Sequence, residues 1–197
     1  KATAQHGAQS CTDCASGKYQ DQPGHANCTA CARGTFNPSQ GQSQCTQCLA
    51  GKFENATGSL ACSDCPKGRF QSLPGQSFCT LCSVGQFDDV GGQDKCSLCA
   101  PGKFAAHNGT VDCTPCAAGY AQDQNGQSSC KACVAGEYMP DSGQQSCVLC
   151  PTGHFSNSSA MSACFTCPAG RFQGQPGKST CELCPVGKSA LFTGLSS

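Results

Sequence analysis

The chain has 197 residues, 22 of them cysteine, and its 12 basic and 12 acidic side chains leave no net charge. Nothing in this charge balance suggests nucleic acid or an anionic membrane as a partner, so contact with neither is expected within this segment. The cysteine content is typical of disulfide scaffolds, and a chain with no tryptophan, 3 tyrosines and 10 phenylalanines cannot build a conventional hydrophobic core.

The cysteines form Cys-x-x-Cys pairs that recur at one constant spacing without insertion or deletion, from Cys11/Cys14 through Cys28/Cys31 to Cys181/Cys184. Such a fixed period is typical of a repeat array. We predict a partial repeat at residues 1–13 and another at residues 184–197. Between them we predict ten tandem repeats, at 14–30, 31–47, 48–64, 65–81, 82–98, 99–115, 116–132, 133–149, 150–166 and 167–183.

Each repeat follows the pattern C-x-x-G-x-F/Y-x4-G-x3-C-x-x and is predicted to fold as a small β-hairpin. In the first repeat, short strands are expected at residues 18–20 and 25–28, joined by a turn at Pro23-Gly24. Proline followed by glycine suits the centre of a type II turn, and the Asn-Gly of later repeats suits type I′. Because neighbouring strand residues face opposite sides, the aromatic ring is expected to point inward under a disulfide.

Paired Cys-x-x-Cys motifs can belong to a disulfide scaffold, a zinc site or a thiol redox centre. Zinc modules combine motifs two by two, which would produce alternating spacings, whereas all the spacings here are equal. A redox motif needs a thioredoxin-like fold, and the sequence has no such pattern. We therefore favour disulfides, expect neither metal nor cofactor, and keep a zinc array as an alternative.

Four Asn-x-Ser/Thr sequons favour a secreted chain, in which thiols oxidise to disulfides. They begin at Asn27, Asn55, Asn108 and Asn157 and use four of the six asparagines. N-linked glycans are expected at some of these positions. Asn27 is the least favourable acceptor because its sequon contains Cys28, whose early disulfide closure would block modification.

Closure within one Cys-x-x-Cys would make a small strained ring of the reactive kind. Pairing the second cysteine of each motif with the first of the next closes the hairpin instead. Cys11 and Cys184 then stay unpaired within this segment and are expected to pair beyond its ends. The predicted bridges are Cys14–Cys28, Cys31–Cys45, Cys48–Cys62, Cys65–Cys79, Cys82–Cys96, Cys99–Cys113, Cys116–Cys130, Cys133–Cys147, Cys150–Cys164 and Cys167–Cys181.

The segments CPKGRFQSLPGQSFCTLC, from Cys65 to Cys82, and CPAGRFQGQPGKSTCELC, from Cys167 to Cys184, resemble the ephrin-receptor-like cysteine-rich repeat, which is grouped with EGF-like modules. The pattern is also similar to the first small module of tumour necrosis factor receptor domains, whose opening and closing cysteines pair. This resemblance implies the same connectivity. Modules of this type occur in receptors, secreted matrix proteins and protist surface proteins, so the resemblance identifies a module and leaves its function open.

Basic residues recur just before the aromatic, and acidic residues gather two to four positions later. We interpret these two stripes as solvated surface, with contact between parallel arrays as the alternative. The four histidines occupy four different repeat positions and are interpreted as surface residues. No Ser/His/Asp grouping, carboxylate pair or phosphate-binding loop recurs, so we expect no catalytic residues and no enzyme activity.

The predicted fold class is small, disulfide-rich and mostly β or irregular, an extended solenoid-like array of hairpin repeats that are each closed by a disulfide. The predicted function is that of a structural extracellular glycoprotein segment, a rod that acts as a stalk, spacer or fibre component. It would be secreted or lie on the extracellular face of the cell surface, with other protein chains and N-linked glycans as partners. The alternatives are a ligand-binding or adhesion receptor ectodomain and the zinc array.

Overall fold

The structure is a computed structural model that describes residues 10–190 and 193–194. This part of the chain contains no helix, and its twenty two-residue strands pair as ten antiparallel hairpins of consecutive strands. The strands are β1 (Lys18–Tyr19), β2 (Thr29–Ala30), β3 (Thr35–Phe36), β4 (Thr46–Gln47), β5 (Lys52–Phe53), β6 (Ser63–Asp64), β7 (Arg69–Phe70), β8 (Thr80–Leu81), β9 (Gln86–Phe87), β10 (Ser97–Leu98), β11 (Lys103–Phe104), β12 (Thr114–Pro115), β13 (Tyr120–Ala121), β14 (Lys131–Ala132), β15 (Glu137–Tyr138), β16 (Val148–Leu149), β17 (His154–Phe155), β18 (Phe165–Thr166), β19 (Arg171–Phe172) and β20 (Glu182–Leu183).

One hairpin lies in each repeat, and we number the repeats 1 to 10 from Cys14. In repeat 1, Lys18 pairs with Ala30 and Tyr19 with Thr29, so the second strand follows the closing cysteine. The sequence-based expectation of a strand at residues 25–28 was wrong. The residue after the second glycine instead bonds to the preceding repeat. In repeat 2, for example, the carbonyl of Gln42 accepts a hydrogen bond from Gln20 N of repeat 1.

The described residues form two compact units. The first consists of residues 10–83, Phe87–Ser97 and Asn108–Val111. The second consists of Val84–Gln86, Leu98–His107, residues 112–190 and residues 193–194.

In the first unit, three backbone hydrogen bonds join a repeat to the next one. They involve the first glycine, the residue after the aromatic and the second glycine. Between repeats 1 and 2 these bonds are Gly17 N to Asn37 O at 2.8 Å, Gln20 N to Gln42 O at 3.2 Å and Gly41 N to Cys14 O at 2.9 Å.

In the second unit the same three bonds recur, and they persist where alanine replaces the second glycine. Ala160 adopts a φ of 61°, a left-handed conformation that costs a residue with a side chain about 1–2 kcal/mol. The turn therefore keeps its shape in spite of the substitution. Between repeats 8 and 9 the bonds are Gly136 N to Ser156 O at 2.9 Å, Met139 N to Met161 O at 3.0 Å and Ala160 N to Cys133 O at 2.8 Å.

Contacts also reach the next repeat but one. A Cβ atom added to Gly17 of repeat 1 would lie 2.1 Å from the carbonyl oxygen of Gly58 in repeat 3. In the second unit, a Cβ on Gly119 of repeat 7 would lie 2.2 Å from the Ala160 carbonyl oxygen of repeat 9. The first glycine is thus required because another backbone approaches it, and three consecutive repeats pack against one another within each unit.

The interior of both units is made of disulfides, with few large apolar side chains. The opening cysteine of every repeat, from Cys14 to Cys167, is at most 1% exposed. The aromatic rings, such as Phe36, are only half-buried, and the next side chain, such as Asn37, is the one that is buried. The expectation that the ring points fully inward was therefore wrong, because the ring lies at the boundary with the following repeat.

Candidate functional site

Ten disulfides close the ten hairpins, and the pairs are those expected from the sequence. The Cα atoms of each pair are 5.6–5.8 Å apart, a separation that is usual for a disulfide. They are Cys14–Cys28, Cys31–Cys45, Cys48–Cys62, Cys65–Cys79, Cys82–Cys96, Cys99–Cys113, Cys116–Cys130, Cys133–Cys147, Cys150–Cys164 and Cys167–Cys181.

Each disulfide also lies at a junction between repeats. The carbonyl of Cys14 accepts a hydrogen bond from Gly41 N of the next repeat at 2.9 Å, and the carbonyl of Cys150 accepts one from Gly177 N at 2.8 Å. The covalent cross-link within a repeat and the hydrogen bond to its neighbour therefore meet at one residue. Such an arrangement holds adjacent hairpins in a fixed register.

Cys11 and Cys184 are free thiols in the structure, the first exposed and the second half-buried. Cys184 N donates to Gly170 O at 3.1 Å, just as Cys167 N donates to Gly153 O at 2.9 Å one repeat earlier. Cys184 thus holds the backbone position of an opening cysteine. The pairing of both residues beyond this sequence stays a prediction.

The four sequon asparagines, Asn27, Asn55, Asn108 and Asn157, are all exposed. Asn55 and Asn157 hold the same repeat position, two residues after the aromatic, and Asn108 lies two positions further along its own turn. Asn27 differs, since it directly precedes the disulfide-bonded Cys28. An exposed asparagine in a turn meets the steric requirement for a glycan, and glycan attachment stays a prediction for all four.

Open clefts lie between consecutive repeats. In two of them, one in each unit, an aromatic ring of the earlier repeat lines the cleft. The cleft in the first unit measures about 230 Å³ and is lined by Tyr19, Ala32, Thr35, Gln44 and Cys45. The cleft in the second unit measures about 240 Å³ and is lined by Phe104, Ala117, Tyr120, Ser129 and Cys130.

A third cleft, between repeats 7 and 8, has Ala121 where the other two have a ring, and it measures about 290 Å³. Its rim carries charged residues that include Asp123, Lys131 and Glu137. This cleft therefore has a charged edge and lies where the repeat pattern loses its aromatic.

Two ion pairs, in repeats 3 and 7, each lie within a single hairpin. Lys52 bonds Asp64 across its hairpin, and Lys131 Nζ lies 2.9 Å from Asp123 Oδ1. The hydrogen bond from the Lys131 ammonium group lowers the pKa of the Asp123 carboxyl below its ordinary value. All four side chains are exposed, so these pairs contribute little to stability, as expected of a solvated surface.

A set of bridging glutamines was missed from the sequence. In repeat 7, Gln122 Nε2 donates to Ser129 O at 2.8 Å, and Gln122 Oε1 accepts from Gln124 N at 3.1 Å. We call this two-bond bridge across a turn the glutamine clasp. The sequence does contain a signal for this bridge, because glutamine occupies the position after the aromatic in every third repeat, at Gln20, Gln71, Gln122 and Gln173.

Within residues 10–190 and 193–194, no group of three or more histidine, cysteine, aspartate or glutamate side chains is placed to hold a metal ion. In the same part of the chain, no helix is long and apolar enough to cross a membrane.

A family model described as tyrosine-protein kinase ephrin type A/B receptor-like matches the chain seven times, and the matches together cover most of its length. No curated protein matches the chain. The matched ranges overlap, as expected where one pattern recurs at a constant spacing. They are residues 2–41, 22–61, 51–92, 102–140, 119–163, 136–180 and 153–194.

Proposed function

We propose, from the premise that this chain belongs to the tyrosine-protein kinase ephrin type A/B receptor-like family of cysteine-rich repeats, that it is a structural segment of an extracellular glycoprotein. Modules of this family are of a non-catalytic, extracellular type, and ten disulfides are compatible with an oxidising compartment. The chain would act as a stalk, spacer or fibre component, secreted or on the extracellular face of the cell surface.

The proposal is supported by one observation, the recurrence of the same backbone hydrogen bonds between neighbouring repeats. Within each compact unit, a repeat bonds to its neighbour through the first glycine, the residue after the aromatic and the second glycine. Equivalent junctions have similar strength, because each is built from the same contacts as the next, so no single junction is a weak point. A mechanical or spacing role uses such uniformity, whereas a single binding patch does not need it.

The proposed partners are other protein chains, including further copies of this one, together with N-linked glycans at the sequons. The exposed basic and acidic positions of neighbouring strands supply charges of both signs for contact between parallel arrays. We propose no cofactor, no metal and no catalytic residue. Both sulfurs of each bridge are consumed by the disulfide, so the twenty bridged cysteines offer no thiolate to zinc.

A second candidate is a ligand-binding or adhesion ectodomain, and the cleft at Ala121 favours it. This cleft has Ala121 where a ring lines the other two clefts, and it is also lined by the charged residues Asp123, Lys131 and Glu137. A partner with an exposed aromatic side chain next to a charged one would match it.

Electron microscopy of the native material tests the proposal. We expect filaments or stalks in which this segment is a regular component, and non-reducing peptide mapping should recover Cys14 linked to Cys28. Isolated globular particles that bind a soluble ligand at the Ala121 cleft would favour the ectodomain. Closed Cys11–Cys14 rings, or free thiols throughout, would contradict both candidates.

A further inference from the structure

Two turns of the array contain an Asn-Gly pair, the dipeptide most prone to spontaneous deamidation. They are Asn108-Gly109 in repeat 6 and Asn125-Gly126 in repeat 7. In this reaction the backbone nitrogen of the glycine attacks the side-chain carbonyl carbon of the asparagine, and glycine favours the attack because it has no Cβ to hinder the approach. Asn108 begins a sequon, whereas Asn125, followed by Gly126 and Gln127, does not.

The nitrogen that would attack at Asn125 is held by the preceding repeat. Gly126 N donates to the carbonyl of Cys99 in repeat 6 at 2.8 Å, and Cys99 is fully buried. Asn125 itself is exposed, so water has access to its side chain. Attack requires Gly126 N to lose its proton and to approach Asn125 Cγ, and neither can occur while its N–H points at Cys99 O.

Three further contacts hold the same turn in place. Ala105 N of repeat 6 donates to Gln127 O at 3.1 Å. A Cβ atom added to Gly85 of repeat 5 would overlap Gly126 O, so the backbones of repeats 5 and 7 are in direct contact. The side chain of Leu98 in repeat 5 covers Gly126, since a Cβ on that glycine would lie 2.9 Å from Leu98 Cδ2. All of these residues belong to the second unit.

We propose that Asn125 is a deamidation site that the packing of repeats 5, 6 and 7 keeps closed, and that a lasting opening of this junction is recorded there as isoaspartate. When the turn opens, Gly126 N forms a bond to Asn125 Cγ, the Cγ–Nδ2 bond breaks, and Nδ2 leaves as ammonia with the proton from Gly126 N. Water then opens the succinimide ring at either carbonyl and yields aspartate or isoaspartate. Water is the only other reactant.

Isoaspartate makes the opening of the turn permanent. Its main chain runs through Cβ and therefore contains one more carbon atom than that of an ordinary residue, and its free carboxyl adds a negative charge. A turn that is lengthened in this way no longer places Gly126 N opposite Cys99 O. The reaction needs neither secretion nor a partner, so it is independent of the proposed function. In a stalk or fibre that is not replaced, the product would accumulate wherever this junction had loosened.

The test measures deamidation of Asn125 in the full disulfide-bonded chain at physiological pH and temperature. Peptide mass spectrometry follows the mass gain and distinguishes isoaspartate from aspartate by its fragment ions. The reference is the same chain, reduced, alkylated and unfolded in guanidinium. We expect the disulfide-bonded chain to deamidate at least about 100-fold more slowly, because only the open fraction reacts. Similar rates in the two states would overturn the proposal.

The first variant, Leu98→Ala, uncovers the turn and leaves the backbone conformation unchanged. Alanine is compatible with this position, since Ala30 holds it in repeat 1. The matched control is Leu149→Ala, because Leu149 covers Gly177 of repeat 10 in the same way, with Cδ2 2.9 Å from a Cβ added there. Deamidation of Asn125 should rise about threefold with Leu98→Ala and stay unchanged with Leu149→Ala.

A stronger variant is Gly85→Ala, because its methyl group must displace the Gly126 backbone. Deamidation of Asn125 should rise about tenfold or more. The control Gly136→Ala introduces the same strained alanine against the turn of repeat 10 and should leave Asn125 unchanged. Equal rises with Gly85→Ala and Gly136→Ala, or no rise with Leu98→Ala, would show that this junction does not govern the reaction.

Discussion

At the scale of single residues, the two glycines of repeat 1 serve different purposes although both have positive φ. Gly17 and Gly24 of repeat 1 both have a φ of 79°. A Cβ on Gly24 would meet nothing within 4 Å, whereas one on Gly17 would lie 2.1 Å from Gly58 O. In repeat 1, Gly24 is therefore needed for its conformation alone, whereas Gly17 is also needed for the space that repeat 3 occupies. In later repeats the second glycine is crowded too, since a Cβ on Gly177 would lie 2.9 Å from Leu149 Cδ2.

We expect Gly17→Ala to cost more stability than Gly24→Ala. Both substitutions cost roughly 1–2 kcal/mol for a left-handed residue with a side chain. Gly17→Ala must in addition displace the Gly58 backbone and weaken the bond from Gly58 N to Cys31 O. Hydrogen exchange of the Gly58 amide should accelerate about 100-fold or more in Gly17→Ala and little in Gly24→Ala. Equal effects of the two substitutions would contradict the packing of repeat 1 against repeat 3.

The cleft between repeats 7 and 8 is lined by Ala121 at the position that an aromatic residue holds in most repeats. We expect Ala121→Phe to place a ring in this cleft and to stabilise the junction of repeats 7 and 8 by about 1 kcal/mol, because a half-buried ring gains part of the transfer free energy of phenylalanine. Exchange of the Gly119 and Gln122 amides, which bond to repeat 8, should slow about fivefold.

The matched control is Phe104→Ala, which removes the ring from the equivalent cleft of repeats 6 and 7. It should accelerate exchange of the Gly102 and Ala105 amides, which bond to repeat 7. Faster exchange in Ala121→Phe would show that this cleft is not shaped for a ring.

At the scale of one hairpin, the Asp123–Lys131 pair gives a pH dependence with a definite sign. The Lys131 ammonium lowers the pKa of Asp123 in the folded chain. Its contribution to stability is therefore present above the unfolded-state pKa and is lost as pH falls through the folded-state pKa. Since both side chains are exposed, the effect on stability should be small.

An NMR titration of the Asp123 carboxyl measures this directly. We expect a pKa below the ordinary value in the native chain and in Lys131→Arg, which keeps the charge. In Lys131→Met the pKa should return towards the ordinary value. A titration that is the same in Lys131→Met and in the native chain would contradict the ion pair.

At the scale of the whole molecule, stability depends on cross-links, because the largest fully buried side chains among the described residues are the ten opening cysteines and Ser156. We expect reduction with a phosphine to abolish amide protection throughout the described part of the chain, since each bridge closes a loop and stabilises the fold by about 3 kcal/mol. A chelator should leave protection unchanged. Retained structure after reduction, or loss of structure with the chelator alone, would contradict a disulfide scaffold and favour the zinc array.

The sequence by itself determined what is encoded within one repeat. The invariant spacing of cysteines indicated one hairpin per repeat, and Pro23-Gly24 indicated a turn, which Gly24 makes with positive φ. The pairing of Cys14 with Cys28 also follows from local spacing and from the family resemblance. These features are predictable because turn geometry and loop closure involve residues that are close along the chain.

Only the tertiary structure decided what depends on the second and third repeat. The invariant first glycine, such as Gly17, is required by a backbone that arrives from the next repeat but one, at Gly58. Phe36 is half-buried because its ring lies where one repeat meets the next. The second strand starts only after the closing cysteine, because the segment before that cysteine is hydrogen-bonded to the preceding repeat. The pattern within a single repeat specifies the hairpin. The contacts of its first glycine, its aromatic ring and its turn backbone depend on how neighbouring hairpins pack.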